Sequence, residues 1–329
     1  MGGVSLDALL GDASVTEILL NGGGRAFVER AGRLEPVEVG LDEEGVRRVV
    51  ERIIGPLGLR LDRSSPIVDA RLPDGSRLHA VLPPVAVDGT CVAIRRFGAG
   101  RRRLDDFGLP PAGRLLLRWA VGAGWNLLLS GGTGAGKTTL LNTLAAGVGP
   151  EERIVTIEET AELALGQPHV VRLEARPANA EGAGAVPVRA LVRAALRLRP
   201  DRLIVGEVRG GEAFDLLQAL NTGHAGSLST VHANGPADAL ARLESLVLLA
   251  GVGLPLDAIR AQIRSSIDAV VHVARRPGGG RVVEAVAELT GRGELRVLLP
   301  AAGEVAVTRP ARRPGAPTFD RAVLQGERC

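Results

Sequence analysis

Short runs of alternating apolar and polar residues fill the first third of the chain and predict β-strands separated by tight turns. The turn signals are a glycine-rich turn at 21–24 and Asp-Gly pairs at 74–75 and 88–89. Between two groups of strands, apolar residues recur at helical spacing over 42–54, until a Gly-Pro pair ends the helix. The predicted strands cover residues 15–20, 26–30, 34–39, 67–72, 77–82 and 90–97. Residues 1–107 are therefore expected to form a small N-terminal α+β domain.

The pattern changes after a linker at residues 98–111, which contains glycines, three consecutive arginines and a Pro-Pro pair. From there, strands alternate with helices, which is typical of a parallel-rich sheet covered on both faces. The predicted strands cover residues 125–130, 153–158, 169–173, 202–206, 227–231 and 269–274. The predicted helices cover residues 112–122, 137–146, 187–198, 211–221, 236–249 and 256–267. The expected fold class of residues 108–290 is α/β.

The end of the chain is rich in Gly, Pro and Arg. Only residues 281–289 and 294–299 look strand-like there. Residues 291–329 are expected to be a partly disordered C-terminal extension, and residues 300–329 are expected to be poorly ordered.

A glycine-rich loop lies between a predicted buried strand and a predicted helix, and it fits the pattern Gly-x-x-x-x-Gly-Lys-Thr. In such loops backbone N–H groups hold the phosphates of a nucleotide, the lysine reaches the β- and γ-phosphates, and a hydroxyl coordinates Mg²⁺. The predicted nucleotide-binding residues are Gly131, Gly132, Thr133, Gly134, Ala135, Gly136, Lys137, Thr138 and Thr139. ATP and Mg²⁺ are therefore the expected ligands, with Thr138 as a metal ligand. The alternative is a glycine-rich turn that fits the pattern by chance.

Composition supports this interpretation of the loop, because the 40 basic residues comprise a single lysine, Lys137, and otherwise arginines. An ammonium is a compact point charge and a guanidinium a flat fork, so a lysine kept only in the loop indicates that the chemistry there requires it. The net charge is only +3, and aromatic residues make up 2% of the chain without any tyrosine. Direct nucleic-acid binding is therefore not expected. Neither a secretory signal nor a spanning segment is evident, which predicts a cytoplasmic protein.

Acidic residues follow two of the predicted strands, at the end of the sheet where ligands of α/β proteins bind. Glu207 directly follows the run 202–206 and is expected to hold the water shell of Mg²⁺ or to polarise the attacking water. Glu158 ends another strand and is the candidate base or water-positioning residue. A solvated carboxylate is the alternative for Glu207, and capping of the following turn is the alternative for Glu159 or Glu162.

Two of the five histidines, His224 and His232, flank the predicted strand 227–231. Their place beside several hydroxyl and amide side chains favours a sensor that reports the γ-phosphate to the rest of the domain. Metal binding by the pair is a weaker alternative, because no third ligand has a fitting spacing.

Four ordered motifs together resemble the secretion ATPase superfamily of type II and type IV secretion and pilus assembly. They are GGTGAGKTT, TIEETAEL, RPDRLIVGEVRGGEA and TGHAGSLSTVHANGP. Within that superfamily, DARLPDGSRLHAVLPP and VAIRRF most resemble the CpaF-like ATPases of the Tad/Flp pilus. The similarity runs from about residue 15 to about residue 273. It implies a RecA-like P-loop NTPase domain behind the small N-terminal domain.

The resemblance also implies roles for individual residues. Catalytic roles fall on Lys137, Glu207 and Glu158, and Glu207 would also serve the metal. The two histidines of the family's histidine box correspond to His224 and His232. The N-terminal domain of such proteins supplies arginines to the nucleotide phosphates, which implies catalytic roles for Arg95 and Arg77 and phosphate sensing by Arg71 and Arg96. The acidic motif departs from the usual Glu-Asp, since it has Glu158-Glu159, and the four-cysteine zinc module of many type II members is absent.

The expected function is an ATP-hydrolysing motor for Tad/Flp-type pilus assembly or type II-like secretion. The resemblance implies a homohexamer that works on an inner-membrane platform protein at the inner face of the cytoplasmic membrane. One alternative is the type IV secretion and conjugation branch, with the same site and other partners. Another is a nucleotide-gated assembly scaffold with little hydrolysis, although a scaffold has no need of both Glu158 and Glu207.

Overall fold

The computed structural model of the chain divides into two compact units. The N-terminal unit comprises residues 1–101 with 277–279, and the C-terminal unit comprises residues 102–276 with 280–329. The described residues are 4–22, 24–30, 32–72, 74–96, 102–176, 178, 183–276, 279–299, 307–316 and 318–319.

The N-terminal unit contains a six-stranded antiparallel sheet with the strand order β3-β2-β1-β6-β5-β4. Its strands are β1 (Val15–Asn21), β2 (Arg25–Arg30), β3 (Arg33–Glu38), β4 (Ile67–Arg71), β5 (Arg77–Val81) and β6 (Cys91–Arg95). Its helices are α1 (Leu6–Gly11) and α2 (Glu43–Ile54). The side chains of Ser5 and Asp42 accept hydrogen bonds from the first turns of α1 and α2, which fixes where each helix begins.

One face of this sheet forms a core with the apolar face of α2. Every second strand residue, such as Ile18, Leu78 and Ile94, is buried there against residues such as Val46 and Val50. The alternation along the sequence therefore produces the two faces of an α+β unit.

The C-terminal unit is built on an eight-stranded sheet with the order β14-β13-β12-β7-β11-β10-β8-β9. Its strands are β7 (Leu127–Gly131), β8 (Ile154–Glu158), β9 (Val170–Glu174), β10 (Arg202–Val205), β11 (Leu228–His232), β12 (Ala269–Arg275), β13 (Arg281–Leu289) and β14 (Leu295–Leu299). Its helices are α3 (Pro111–Gly122), α4 (Lys137–Ala145), α5 (Val188–Ala195), α6 (Glu212–Asn221), α7 (Pro236–Leu249) and α8 (Leu256–Ser266). Strands β12 to β9 in this order pair in parallel, and β13 and β14 add antiparallel strands.

Both faces of the parallel strands are buried, as their continuous apolar runs predict. In β7, Leu127 and Leu129 pack into one core and Leu128 packs into the other. Helices α3 and α4 cover the first core, and α5 to α8 cover the second. The predicted α/β fold with a parallel-rich sheet, preceded by a small α+β unit, is confirmed.

The structure describes part of the end of the chain, for which the composition predicts poor order. Residues 307–316 with 318–319, called here the C-terminal strap, lie against the amino ends of the parallel strands. The strap holds two buried carboxylates, because Arg309 and Arg312 pair with Asp268 at 2.9 and 2.6 Å and Arg313 pairs with Glu152. Composition alone does not predict these contacts, since the ion-pair partners come from distant parts of the sequence.

Aromatic side chains reinforce the contact with the C-terminal strap. The indole N–H of Trp125 donates to the carbonyl oxygen of Pro310 at 3.1 Å, and Phe319 packs on Trp119 with ring centroids 5.3 Å apart. Strand β14 also belongs to the sheet, although it falls within the predicted extension 291–329. Residues 300–306, 317 and 320–329 lie outside the described residues.

In the part of the chain that the structure describes, no helix has the length and hydropathy that a membrane span requires.

Candidate functional site

The candidate site lies at the carboxyl ends of four parallel strands, where open α/β sheets bind ligands. Gly131 ends β7, Glu158 ends β8, His232 ends β11, and Glu207 follows β10 by two residues. Since β7 neighbours β11, and β10 lies between β11 and β8, these residues meet at one edge of the sheet.

The glycine-rich loop has the local structure that a phosphate-binding loop requires. Gly134 and Gly136 have φ angles of 69° and 101°, in the left-handed region that favours glycine. A Cβ atom on Gly131 would lie 2.4 Å from the carbonyl oxygen of Val273, so a side chain is excluded there as well. Helix α4 begins directly at Lys137, and its first N–H groups have no partner within the helix. This geometry suits an anion.

Lys137 is buried within the loop. Its Nζ donates to the carbonyl oxygens of Gly131 and Gly132, each at 3.0 Å. The same Nζ lies 3.3 Å from both ring nitrogens of His232. The chain's single lysine is therefore placed between the loop backbone and the end of β11.

Glu207 is joined to the loop through His232, whose Nε2 lies 3.2 Å from Glu207 Oε1. Burial lowers the pKa of His232, with the charges of Lys137, Arg209 and Arg242 acting in the same direction and Glu207 opposing them. The imidazole is therefore neutral around pH 7 and can donate from one nitrogen and accept at the other.

Arg209 is a member of the site that the sequence reasoning missed. Its Nε and Nη2 donate to the two oxygens of Glu207 at 2.7 and 3.1 Å, and its Nη1 donates to Glu159 at 2.5 Å. The hydrogen bonds that Arg209 donates to Glu207 are the main reason why the pKa of Arg209 is raised. Glu212 fixes the loop by accepting the N–H groups of Arg209 and Gly210, each at 2.7 Å. The only signal for Arg209 in the sequence is its position two residues after Glu207, the acid that follows a predicted buried strand.

Glu158 is 3% exposed, and its two oxygens have different surroundings. Oε1 accepts the N–H groups of Glu162 and Leu163 at 2.7 and 2.9 Å, while Oε2 is buried and receives no hydrogen bond from any described residue. Burial raises the pKa of Glu158, although the two N–H groups oppose the shift. The turn capping that the sequence left open for Glu159 or Glu162 is thus performed by Glu158. A Cβ atom on Gly206 would lie 2.9 Å from Glu158 Cγ, so this glycine leaves room for the buried carboxyl group.

The two predicted sensor histidines lie at opposite ends of β11. His224 precedes the strand, where its Nδ1 is 3.1 Å from the carbonyl oxygen of Ala219. It makes no hydrogen bond or ion pair with the phosphate loop among the described residues. Only His232 is brought to the loop, because a strand separates the two ring systems by its full length.

Three of the four predicted arginines of the N-terminal unit form a row across its sheet. Arg71 on β4 is opposite Arg77 on β5, and Arg77 is opposite Arg95 on β6. Glu17 on β1 continues the row beyond Arg95. The row therefore concentrates positive charge along one line across this sheet. The fourth arginine, Arg96, instead donates to the carbonyl oxygen of Asp12 within the same unit.

The described residues contain no group of three or more His, Cys, Asp or Glu that could hold a metal ion by themselves. This finding does not favour the metal-binding alternative for the histidines. Mg²⁺ usually keeps several waters and takes one or two protein ligands beside the phosphates, which the Thr138 hydroxyl and the Glu207 carboxylate can supply.

The family model described as "Type II/IV secretion system protein" matches residues 3–280. The chain belongs to this family. The resemblance to the type II/IV secretion superfamily is thereby confirmed.

Relatives of this type II/IV secretion protein carry names from conjugation and type IV secretion. A Mycobacterium tuberculosis H37Rv protein, provisionally named a conjugal transfer protein, is 43% identical over 295 residues, which are 86% of this chain and 83% of the relative. The conjugal transfer protein TrbB of Rhizobium radiobacter is 36% identical over 292 residues, with 86% and 87% covered. The type IV secretion system protein PtlH of Bordetella pertussis is 40% identical over 252 residues, with 67% and 74% covered. These names favour the type IV alternative over the Tad/Flp assignment.

Solved structures with similar folds include an ATPase and a pilus retraction motor. The Legionella pneumophila ATPase DotB has a TM-score of 0.63 at 22% identity, covering 87% of this chain and 80% of that one. The pilus retraction motor PilT, crystallised with ADP, has a TM-score of 0.62 at 21% identity, covering 91% and 84%. At these identities the likeness establishes the fold.

Proposed function

We propose that this type II/IV secretion protein is an ATPase of a type IV secretion or conjugation system, converting ATP and water to ADP and phosphate. The observation that carries the proposal is the continuous contact from Lys137 through His232 to Glu207, at 3.3 and 3.2 Å. These contacts connect the phosphate loop to the acid at the neighbouring strand end. The names of the relatives TrbB and PtlH support the type IV setting.

The phosphate chain of ATP is proposed to bind at the start of α4. Loop N–H groups would hold the phosphates, and the ammonium of Lys137 would exchange the carbonyl oxygens of Gly131 and Gly132 for β- and γ-phosphate oxygens. Thr138 and Glu207 would hold Mg²⁺, which would neutralise the phosphate charge. The neutral His232 connects the ammonium of Lys137 to Glu207. Binding of the γ-phosphate could therefore be signalled to Glu207 by a change in one hydrogen bond of His232.

Glu158 is proposed as the base that takes a proton from the attacking water. Its Oε2 is buried without a hydrogen bond from the described residues, and burial raises the pKa of this carboxyl group. Both properties make a carboxylate a better proton acceptor. The guanidinium of Arg209 holds the carboxylate of Glu207 with two hydrogen bonds and donates a third to Glu159.

The arginine row of the N-terminal unit is proposed to serve the nucleotide phosphates. Arg95 and Arg77 would stabilise charge in the transition state, and Arg71 and Arg96 would sense the phosphate. A homohexamer acting on an inner-membrane platform protein at the cytoplasmic face of the membrane fits this arrangement, since domain movement can then deliver the arginines. Family membership and the cross-strand register of the arginines support this part of the proposal.

The decisive experiment compares ATP turnover and ADP binding in the wild type and in three variants. Glu207→Gln and Glu158→Gln are each expected to keep ADP binding while turnover falls by roughly 10²-fold or more, since each removes a charged group at the reacting phosphate. Glu159→Gln is the matched control, because Glu159 is 62% exposed and bonds only to Arg209 among the described residues.

A turnover in Glu207→Gln equal to that of the wild type would remove Glu207 from the site. Loss of activity in Glu159→Gln but not in Glu158→Gln would transfer the role of base to Glu159. Nucleotide binding with negligible turnover by the wild type, measured with its membrane partners present, would favour the scaffold.

A further inference from the structure

Two arginines beside the phosphate loop have no role in the proposed chemistry so far. Arg275 ends β12 and Arg281 begins β13, and the two residues are paired across the hairpin. Strand β12 is also a direct neighbour of β7, the strand that leads into the loop. The register therefore carries this end of the hairpin past Gly131 and along the loop.

Arg281 contacts the loop and the first turn of α4. Its Nη1 donates to the hydroxyl of Thr139 at 3.2 Å. Its side chain lies so close to Gly136 that a Cβ atom there would be 2.4 Å from Arg281 Cδ and 2.9 Å from Nε. Arg275 lies further out, with Nη1 4.0 Å from the position of a Cβ atom on Gly134. Gly136 thus makes room for the arginine as well as for the bend of the loop.

The charges at this place favour an anion. The amino end of α4 carries a partial positive charge and presents N–H groups that can bind an anion. Lys137 already places one ammonium at the same helix end, and Arg281 adds a guanidinium. A guanidinium fork also matches the spacing of phosphate oxygens.

We propose that Arg281 binds the part of the phosphate chain nearest the nucleoside, and that Arg275 adds positive charge from further out. Loop N–H groups hold the α- and β-phosphates while the lysine reaches the β- and γ-phosphates. Arg281 bonds to Thr139, two residues beyond Lys137, and lies along Gly136, so it faces the phosphates that ATP and ADP share. This inference rests on the proposed ATPase function. It assigns Arg281 to nucleotide affinity and not to the cleavage step.

The test measures displacement of a fluorescent ADP analogue by ATP, by ADP and by inorganic tripolyphosphate. Arg281→Gln removes the guanidinium but keeps the stem that packs on Gly136. Affinity for all three competitors is expected to fall about tenfold, equivalent to about 1.4 kcal/mol, with kcat at saturating ATP within about twofold of the wild type. Arg276→Gln is the matched control, because Arg276 lies in the same hairpin, is exposed, and loses the same charge.

Arg281→Lys provides a second variant that separates contact from folding. It restores the charge without the fork and is expected to recover part of the affinity, which a folding defect would not allow. Equal affinities for Arg281→Gln and Arg276→Gln would overturn the inference. So would a loss confined to ATP and ADP, which would assign Arg281 to the nucleoside. A wild type that binds none of the three ligands would overturn the proposed function together with this inference, whereas normal wild-type binding and an unaffected Arg281→Gln would overturn the inference alone.

Discussion

The C-terminal strap should stabilise the C-terminal unit through Arg309, and Arg309→Met tests this directly. Asp268, 2% exposed, accepts Arg309 at 2.9 Å, Arg312 at 2.6 Å and the N–H of Asn126 at 2.8 Å. Removing one partner of a buried ion pair costs about 3–5 kcal/mol. Because Arg312 still pairs with Asp268, the loss should lie at the lower end, about 3 kcal/mol. For a domain of this size, that corresponds to a fall in Tm of roughly 6–12 °C.

Tryptophan fluorescence during thermal or urea unfolding is a suitable assay. The chain has two tryptophans and no tyrosine, and both indoles contact the strap, Trp125 through Pro310 and Trp119 through Phe319. The matched control is Arg260→Met, which breaks the pair with Glu244 whose side chains are 50% and 22% exposed. Breaking such a surface pair should cost less than about 1 kcal/mol.

A double-mutant cycle completes the test. Asp268→Asn should cost less in the Arg309→Met background than in the wild type, since one of the two ion pairs that it breaks is then already absent. An Arg309→Met variant that unfolds at the same temperature as Arg260→Met would refute the conclusion that the strap stabilises the unit.

Three further predictions concern the site. Because burial raises the pKa of Glu158 above its ordinary value of 4.5, the folded protein binds this proton more tightly than the unfolded chain does, and the associated stability is present below that value and lost as pH rises through the raised pKa. Glu158→Gln should therefore gain unfolding free energy relative to the wild type as the pH rises above 4.5 in urea titrations, and a constant difference would contradict the burial effect. Arg209→Ala should lower kcat by roughly 10–100-fold with little change in ADP affinity, because Glu207 loses its fork, while Arg209→Lys should recover only part of it; full activity in Arg209→Ala would show that Glu207 needs no such support. If the arginine row serves a neighbouring subunit, ATP turnover per chain should fall steeply on dilution, and turnover that stays constant while sizing shows single chains would argue against this.

Much of the fold could be predicted because it depends on local patterns. Period-two alternation, continuous apolar runs and Asp-Gly turns indicated both sheets, and the glycine spacing indicated the loop before Lys137. Glu207 was predictable for the same reason, since it directly follows the predicted buried strand 202–206. Residues whose role depends only on their position along one element are within reach of sequence reasoning.

Residues whose roles depend on pairing between distant segments were out of reach. Arg281 meets Thr139 because β13 pairs with β12 and β12 with β7, and no local pattern encodes that order. Arg309 and Arg312 lie in a stretch whose composition resembles a disordered tail, yet they pair with the buried Asp268. The two histidines looked equivalent in the sequence, and only the length of β11 separates them.

The burial of Lys137 has a consequence for chemical labelling. As the chain's one lysine, it bears the only side-chain amine, and its Nζ is held by the carbonyl oxygens of Gly131 and Gly132. An amine-acylating reagent therefore has two targets, the α-amino group and Lys137. Mass spectrometry after such labelling should separate the two, and the label on Lys137 should report how often the loop opens and whether an occupant shields it.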